Sequence, residues 1–272
     1  MDLEELERRL HQGPVCLVEV VRTLGSAPRG PGAWMAVQGD ALIGTIGGGH
    51  LEWEALRIAR ERLAQGAQDS IQQRLSLGPS LGQCCGGAVE LRWSTVTLAD
   101  WRALQQRLQT THTPVALFGA GHVGHALVQA LQPLPFDVWW VDSREDMFPP
   151  EVLPQVHPEH SQPVHDAVRD LPPQALVLVM SFSHAEDLDI VSACLRRQRE
   201  RGDLPFVGLI GSATKWAVFQ KRLAERGFAP TEIAHITCPI GVAGVPGKEP
   251  AVIAIAVAAQ LLQLRNQQLS PR

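Results

Sequence analysis

The spacing of apolar and polar positions changes character along this chain. Between residues 14 and 96, short runs with strand character (VCLVEVV, AWMAV, ALIGTI, AVELRW) are separated by glycine-rich turns. One longer stretch among them, HLEWEALRIARERLAQG, repeats its apolar positions every three to four residues and predicts a helix. MDLEELERRL at the start has the same spacing, and a helical connector is expected over residues 99–109, closed by TTHTP. Beyond residue 115 strand and helix alternate strictly: VALFGAG, HVGHALVQALQ, DVWWVD, ALVLVMSFSH, AEDLDIVSACLRRQRERG, PFVGLIGS, ATKWAVFQKRLAERG. Short apolar strands joined through helices predict a doubly wound parallel sheet with helices on both faces. The proline-rich stretch 148–173 is expected to be irregular. The expected organisation is therefore α/β throughout, with a small N-terminal domain over residues 1–110 and the parallel sheet over 111–272.

Composition narrows the field of partners. A net charge of −4 and a pI near 6.2 provide no basic face for a phosphate backbone, so no nucleic-acid partner is expected. The longest apolar run, 251–259, is far short of the roughly 18–20 residues a bilayer span needs, so none with a membrane is expected either. The first ten residues lack the order of a secretory signal, and five cysteines is an odd number, which argues for free thiols in a reducing cytoplasm.

Gly119-Ala-Gly-His-Val-Gly124 follows the strand VALF and opens a helix, and Asp142 ends the next strand. In that context Gly119 permits the tight turn, Gly121 the approach of a pyrophosphate, and Gly124 close packing of helix on strand, while Asp142 would accept from a ribose and repel a 2′-phosphate. This is a Rossmann-like dinucleotide fingerprint and predicts a nucleotide such as NAD. Three later loops fall on the same edge of the sheet: Ser181-Phe-Ser-His184, which turns His184 toward the cleft; Gly208 to Lys215, which sets Ser212, Lys215 and backbone amides around an anion; and Cys238-Pro-Ile-Gly241.

The N-terminal half has its own glycine loops. Gly47, Gly48 and Gly49 precede a helix and expose several N–H donors, and Arg29, in GSAPRGPG, carries a planar fork suited to phosphate or carboxylate. In LGQCCGG, adjacent Cys84 and Cys85 have the wrong spacing for structural zinc and would need a strained ring to form a disulfide. Two glycines behind them leave the thiols uncovered and supply amides that lower a thiolate pKa, as suits a nucleophile, a sulfur acceptor or a ligand to a soft metal centre, the alternative being two buried small residues beside a turn.

Taken together, GSAPRGPGAWMAV, IGTIGGGHLE, LGQCCGG, LFGAGHVGHAL, VDSREDMFP, GLIGSATK and CPIG resemble the xanthine dehydrogenase accessory proteins of the XdhC/CoxI type over almost the whole chain. The resemblance implies a chaperone, usually dimeric, that binds the molybdenum cofactor (molybdopterin), holds it while a NifS-type cysteine desulfurase supplies the terminal sulfido ligand, and passes it to the xanthine dehydrogenase apoenzyme. On that reading Cys84 and Cys85 contact the molybdenum or carry sulfur as a persulfide. Gly47 to Gly49 and Arg29 hold the cofactor phosphate, and Gly119, Gly121, Gly124 and Asp142 take either that phosphate or a separate nucleotide. The chain departs from the family pattern at SFSH, which bears on His184, and at GVAGVPGKEP, which bears on Lys248. Two other readings compete: a NAD-dependent oxidoreductase, which the fingerprint alone would suggest, and a nucleotide-sensing assembly partner without chemistry of its own.

Overall fold

A computed structural model describes residues 2–77, 87–109 and 111–269. The chain divides into two compact units, residues 1–110 and 111–272.

The first unit is built on an antiparallel sheet of five strands: β1 (Val15–Leu24), β2 (Trp34–Gln38), β3 (Ala41–Gly44), β4 (Ile71–Ser76) and β5 (Ala88–Val96), in the order β3-β2-β1-β5-β4. β1 takes the centre because its apolar residues serve both faces. Cys16, Val18 and Val20 join Met35, Leu91 and Trp93 under helix α2 (Gly49–Ala64). Val15 and Leu17 point the other way, toward Leu6 and Leu10 of α1 (Asp2–Leu10) and Leu104 and Leu108 of α3 (Trp101–Leu108). Trp93 Nε1 donates to the Ala55 carbonyl at 3.0 Å and so fixes α2 on the sheet. Glu19, buried in β1, is held by Arg92 at 2.9 Å and Arg107 at 3.2 Å, which ties α3 to the opposite face.

In the second unit six parallel strands run in the order β11-β10-β9-β6-β7-β8. They are β6 (Thr113–Phe118), β7 (Phe136–Asp142), β8 (Val156–His160), β9 (Leu176–Val179), β10 (Phe206–Leu209) and β11 (Ile236–Thr237). Helices α4 (His122–Leu131) and α8 (Pro250–Leu269) cover one face, and α5 (His184–Arg201), α6 (Ala213–Glu225) and the single turn α7 (Pro230–Ile233) cover the other. This is the doubly wound, Rossmann-like sheet that the alternation of apolar strands and helices predicts. Chain order reverses between β6 and β9, which opens a crevice at the carboxyl ends of those strands.

One expectation needs correction. The stretch 148–173 is not irregular throughout: it contributes β8, paired with β7 along the sheet edge, and a 3-10 turn over Val164–Arg169. Strand β4, with sequence IQQRLS, also escapes the strand pattern. Among the described residues no helix is long and apolar enough to cross a membrane.

Candidate functional site

The Gly119–Gly124 turn carries its three glycines for different reasons. Gly119 has φ +121°, and a Cβ there would lie 2.0 Å from the Met180 carbonyl, where the ends of β6 and β9 meet. A Cβ on Gly124 would lie 2.1 Å from the Gly119 carbonyl, which also accepts from Trp140 Nε1 at 3.1 Å. Both glycines are demanded by packing. Gly121, by contrast, has φ −82° as the residue preceding α4, and nothing lies within 4 Å of the Cβ it lacks. Its side faces open space, where an anion can approach the first turn of α4.

Asp142, 2% exposed, ends β7 beside this turn. One carboxylate oxygen accepts from the Ala120 amide at 2.6 Å and Arg144 Nη2 at 3.0 Å, the other from the Arg144 amide and Nε, both at 2.9 Å. Burial alone would raise this carboxyl, but the Arg144 side chain and the two amides outweigh it and hold its pKa below the usual carboxylate range. Asp142 thus anchors the glycine turn through Ala120, and its acceptor positions are filled from within the chain.

On the far side of the crevice Ser183 caps α5 by accepting from the Glu186 amide at 3.2 Å, and Ser212 caps α6 by accepting from the Lys215 amide at 3.2 Å. Lys215 donates to Asp187 at 2.6 Å and to the Ile210 carbonyl at 2.8 Å. Asp187 is buried and Lys215 nearly so, and Lys215 thus neutralises Asp187 and does not stand free for the anion expected there. Asp187 in turn accepts from the Ser181 amide and hydroxyl, both at 2.8 Å, which rigidifies the SFSH loop. His184 lines a concavity of about 320 Å³ with Ser212, Thr214, Lys215, Phe219 and Arg222. The geometry brings His184, Ser212 and Lys215 together on one side of the sheet edge.

Within the first unit, the 25–32 loop, the 44–49 turn and the start of β5 meet at one end of the sheet. A Cβ on Gly47 (φ +122°) would lie 2.3 Å from Pro28 Cβ and 3.4 Å from Arg29 Cγ, and one on Gly87 would lie 2.2 Å from the Ser26 carbonyl. Arg29 is exposed, and no hydrogen-bond or ion-pair partner for it occurs among the described residues. Cys84 and Cys85 lie outside the described residues, which resume at Gly87.

The glycine turn is already occupied by a carboxylate of its own chain. Glu52, in the first turn of α2, accepts from Thr45 Oγ1 at 2.5 Å, the Gly48 amide at 3.1 Å and the Ile46 amide at 3.2 Å, while the Gly47 amide donates to Thr45 Oγ1 at 3.1 Å. The amides of Gly47 and Gly48 that were expected to meet a phosphate are engaged internally. Glu52→Ala should therefore cost about 1–3 kcal/mol, the usual penalty for orphaned donors. Chemical denaturation measures it, and an unchanged midpoint would show the turn to be held by its glycines alone.

Two family models match the chain: one described as the XdhC Rossmann domain over residues 115–261, the other as the XdhC and CoxI family over residues 9–75. The chain belongs to the XdhC and CoxI family. The solved structure of a xanthine dehydrogenase from Bacillus halodurans matches this XdhC/CoxI protein with a TM-score of 0.80 at 20% identity, covering 99% of this chain and 98% of that one. At that identity the likeness shows the fold. YqeB of Escherichia coli (strain K12), an uncharacterized protein, is 28% identical over 260 residues, 93% of this chain and 44% of that one. The XdhC/CoxI chain thus spans less than half the length of this relative.

The thiols of the XdhC/CoxI protein that can be described are poor nucleophiles. Burial pushes Cys16 up to about 11 and Cys194 up to about 12. Half-buried Cys238 is raised by burial as well, although Lys215 beside it pulls the other way. No group of three or more metal-ligating side chains occurs among the described residues. Sequence reasoning missed the contacts of Glu52 and Arg144, and that the Glu186 carboxylate accepts from Ser143 Oγ at 2.7 Å. The signal available was modest: VDSRED places an arginine two residues past the fingerprint acid, and Ser183-x-x-Glu186 has the spacing of a helix cap.

Proposed function

We propose that this protein is a carrier for the molybdenum cofactor: it binds the cofactor, holds it while a cysteine desulfurase supplies the terminal sulfido ligand, and delivers it to xanthine dehydrogenase. Family membership carries the coarser part of this reading, a role in xanthine dehydrogenase maturation. The paired thiols carry the finer part, because the cysteines that can be described are buried or half-buried with raised pKa values, which leaves Cys84 and Cys85 to meet a soft metal or a sulfane sulfur. Gly87, two residues after Cys85 in the sequence, packs against the loop that carries Arg29, whose exposed guanidinium has no partner among the described residues and suits an anionic phosphate of the cargo. The protein works as a cytoplasmic homodimer, with the desulfurase and the dehydrogenase apoenzyme as successive partners.

The second unit adds a nucleotide site of NAD type. Gly121 and the first turn of α4 fit a phosphate group, since the turn offers amide donors and an open approach. Its part is to bind and to report occupancy; hydride transfer is not required of it.

The test is to incubate the purified protein with molybdenum cofactor, separate free cofactor by gel filtration, and measure molybdenum and pterin in the protein fraction. Close to one equivalent of both per chain is expected. Absence of molybdenum from that fraction would overturn the carrier reading.

A further inference from the structure

Three carboxylates rim the crevice where β7 and β9 end, and two of them are saturated. Asp142 accepts four hydrogen bonds from Ala120 and Arg144. Asp187 accepts from Ser181 and from Lys215. Glu186 is different. One oxygen accepts from Ser143 Oγ at 2.7 Å, while the other, Oε2, is buried and meets no hydrogen-bond donor among the described residues. Buried charged acceptors are almost always paired in folded proteins, so an orphan of this kind at a crevice marks where an incoming donor is wanted.

Its place in the fold says what that donor belongs to. Ser143 directly follows Asp142, so Glu186 stands at the end of β7, where a ribose lies when its phosphates rest on the helix after β6. On the same rim the Arg144 guanidinium stacks on the Phe182 ring, 4.5 Å from its centroid, and Phe182 is 66% exposed: a flat surface suited to a base plane. Nε and Nη2 of Arg144 both donate to Asp142, which commits one edge of the guanidinium and fixes its plane on that rim.

We propose that Glu186, supported by Ser143, is the specificity-determining residue that reads the ribose hydroxyls of a nucleoside diphosphate at the Gly119–Gly124 turn. Asp142 has the structural task of holding that turn. The proposal rests on the nucleotide reading of the second unit, and it orders ligands by chemistry: a free 2′-hydroxyl is favoured, a 2′-phosphate is repelled by the Glu186 carboxylate, and a 2′-deoxy sugar leaves Oε2 without its donor.

Isothermal titration of the full-length protein with ADP, 2′-deoxy-ADP and 2′,5′-ADP tests it. The native protein should bind ADP about 10- to 100-fold more tightly than 2′-deoxy-ADP, the range of a hydrogen bond to a charged acceptor. In Glu186→Ala that ratio should collapse to near one, and in Glu186→Gln, whose carbonyl oxygen still accepts, it should partly return. ADP binding by the native protein without discrimination against the deoxy analogue overturns the role of Glu186, and this comparison needs no variant to fold. Discrimination that survives Glu186→Ala overturns it equally. Failure of the native protein to bind ADP at all overturns the nucleotide reading, and this proposal with it.

Discussion

Replacing Cys84 and Cys85 together by alanine should leave the protein folded while, on the proposed carrier function, the activity of co-produced xanthine dehydrogenase falls at least about tenfold. The size follows from what thiols do at a metal: even groups one step removed from a metal are worth about 10- to 100-fold in affinity or activity, and a direct thiolate or persulfide contact is worth no less. The variant has no substitute within the described part of the chain. Cys16 and Cys194 are sealed in their cores, where burial pushes them up to about 11 and about 12, and the half-buried Cys238 is raised by burial as well. The measurement is xanthine oxidation per dehydrogenase molecule in cells producing either form of the protein, with thermal unfolding of the purified variant as the control for folding. Unchanged dehydrogenase activity would remove the thiols from the mechanism and leave the protein as an assembly partner without sulfur chemistry.

Central strands could be read from the sequence because they are buried on both faces. β9 and the last four residues of β6, 115–118, run as uninterrupted apolar stretches that can only be interior, and the glycine turn after β6 fixes both the helix that follows and the position of the crevice. Edge strands could not be read in that way. Among the described residues β4 pairs only with β5 and β8 only with β7, so IQQRLS and VHPEH are mostly exposed and lack the alternation that burial imposes. A similar asymmetry holds at the site. The spacing of motifs shows which polar groups arrive at the sheet edge, since each follows a strand. It does not show which of them satisfy one another. Lys215 on Asp187 is a pairing made by the tertiary fold, and Glu52 on the Ile46 and Gly48 amides and Arg144 on Asp142 are closed by the backbone path of their turns, which motif spacing alone does not give. Each removes a group from the set a ligand could use. Glu186 is the instructive case: the Ser183-x-x-Glu186 spacing would have its carboxylate turn back on its own helix cap, yet it reaches across to Ser143 on the neighbouring strand end.

The glycines of the fingerprint separate folding from binding. Gly119→Ala should destabilise the second unit by about 3 kcal/mol or more, because the new Cβ would sit 2.0 Å from the Met180 carbonyl at a φ of +121° that L residues rarely adopt. Relief would require the strand ends to part, at the expense of the Met180 amide's 2.9 Å hydrogen bond to the Phe118 carbonyl. Gly121→Ala meets no such obstacle. Its φ of −82° and ψ of −172° are ordinary extended values, and the added methyl group touches nothing, so stability should change by less than about 1 kcal/mol. That methyl group, however, stands where a phosphate must approach the first turn of α4, and a displacement of that order should weaken ADP binding about 10- to 100-fold. Thermal unfolding and ADP titration on the two variants give the four values needed. A Gly121→Ala protein that binds ADP as the native chain does would show the turn to be only a packing device. A Gly119→Ala protein as stable as the native one would mean that the β6 and β9 ends can separate freely, and the crevice between them would then lose the rigidity on which selection of a ribose depends.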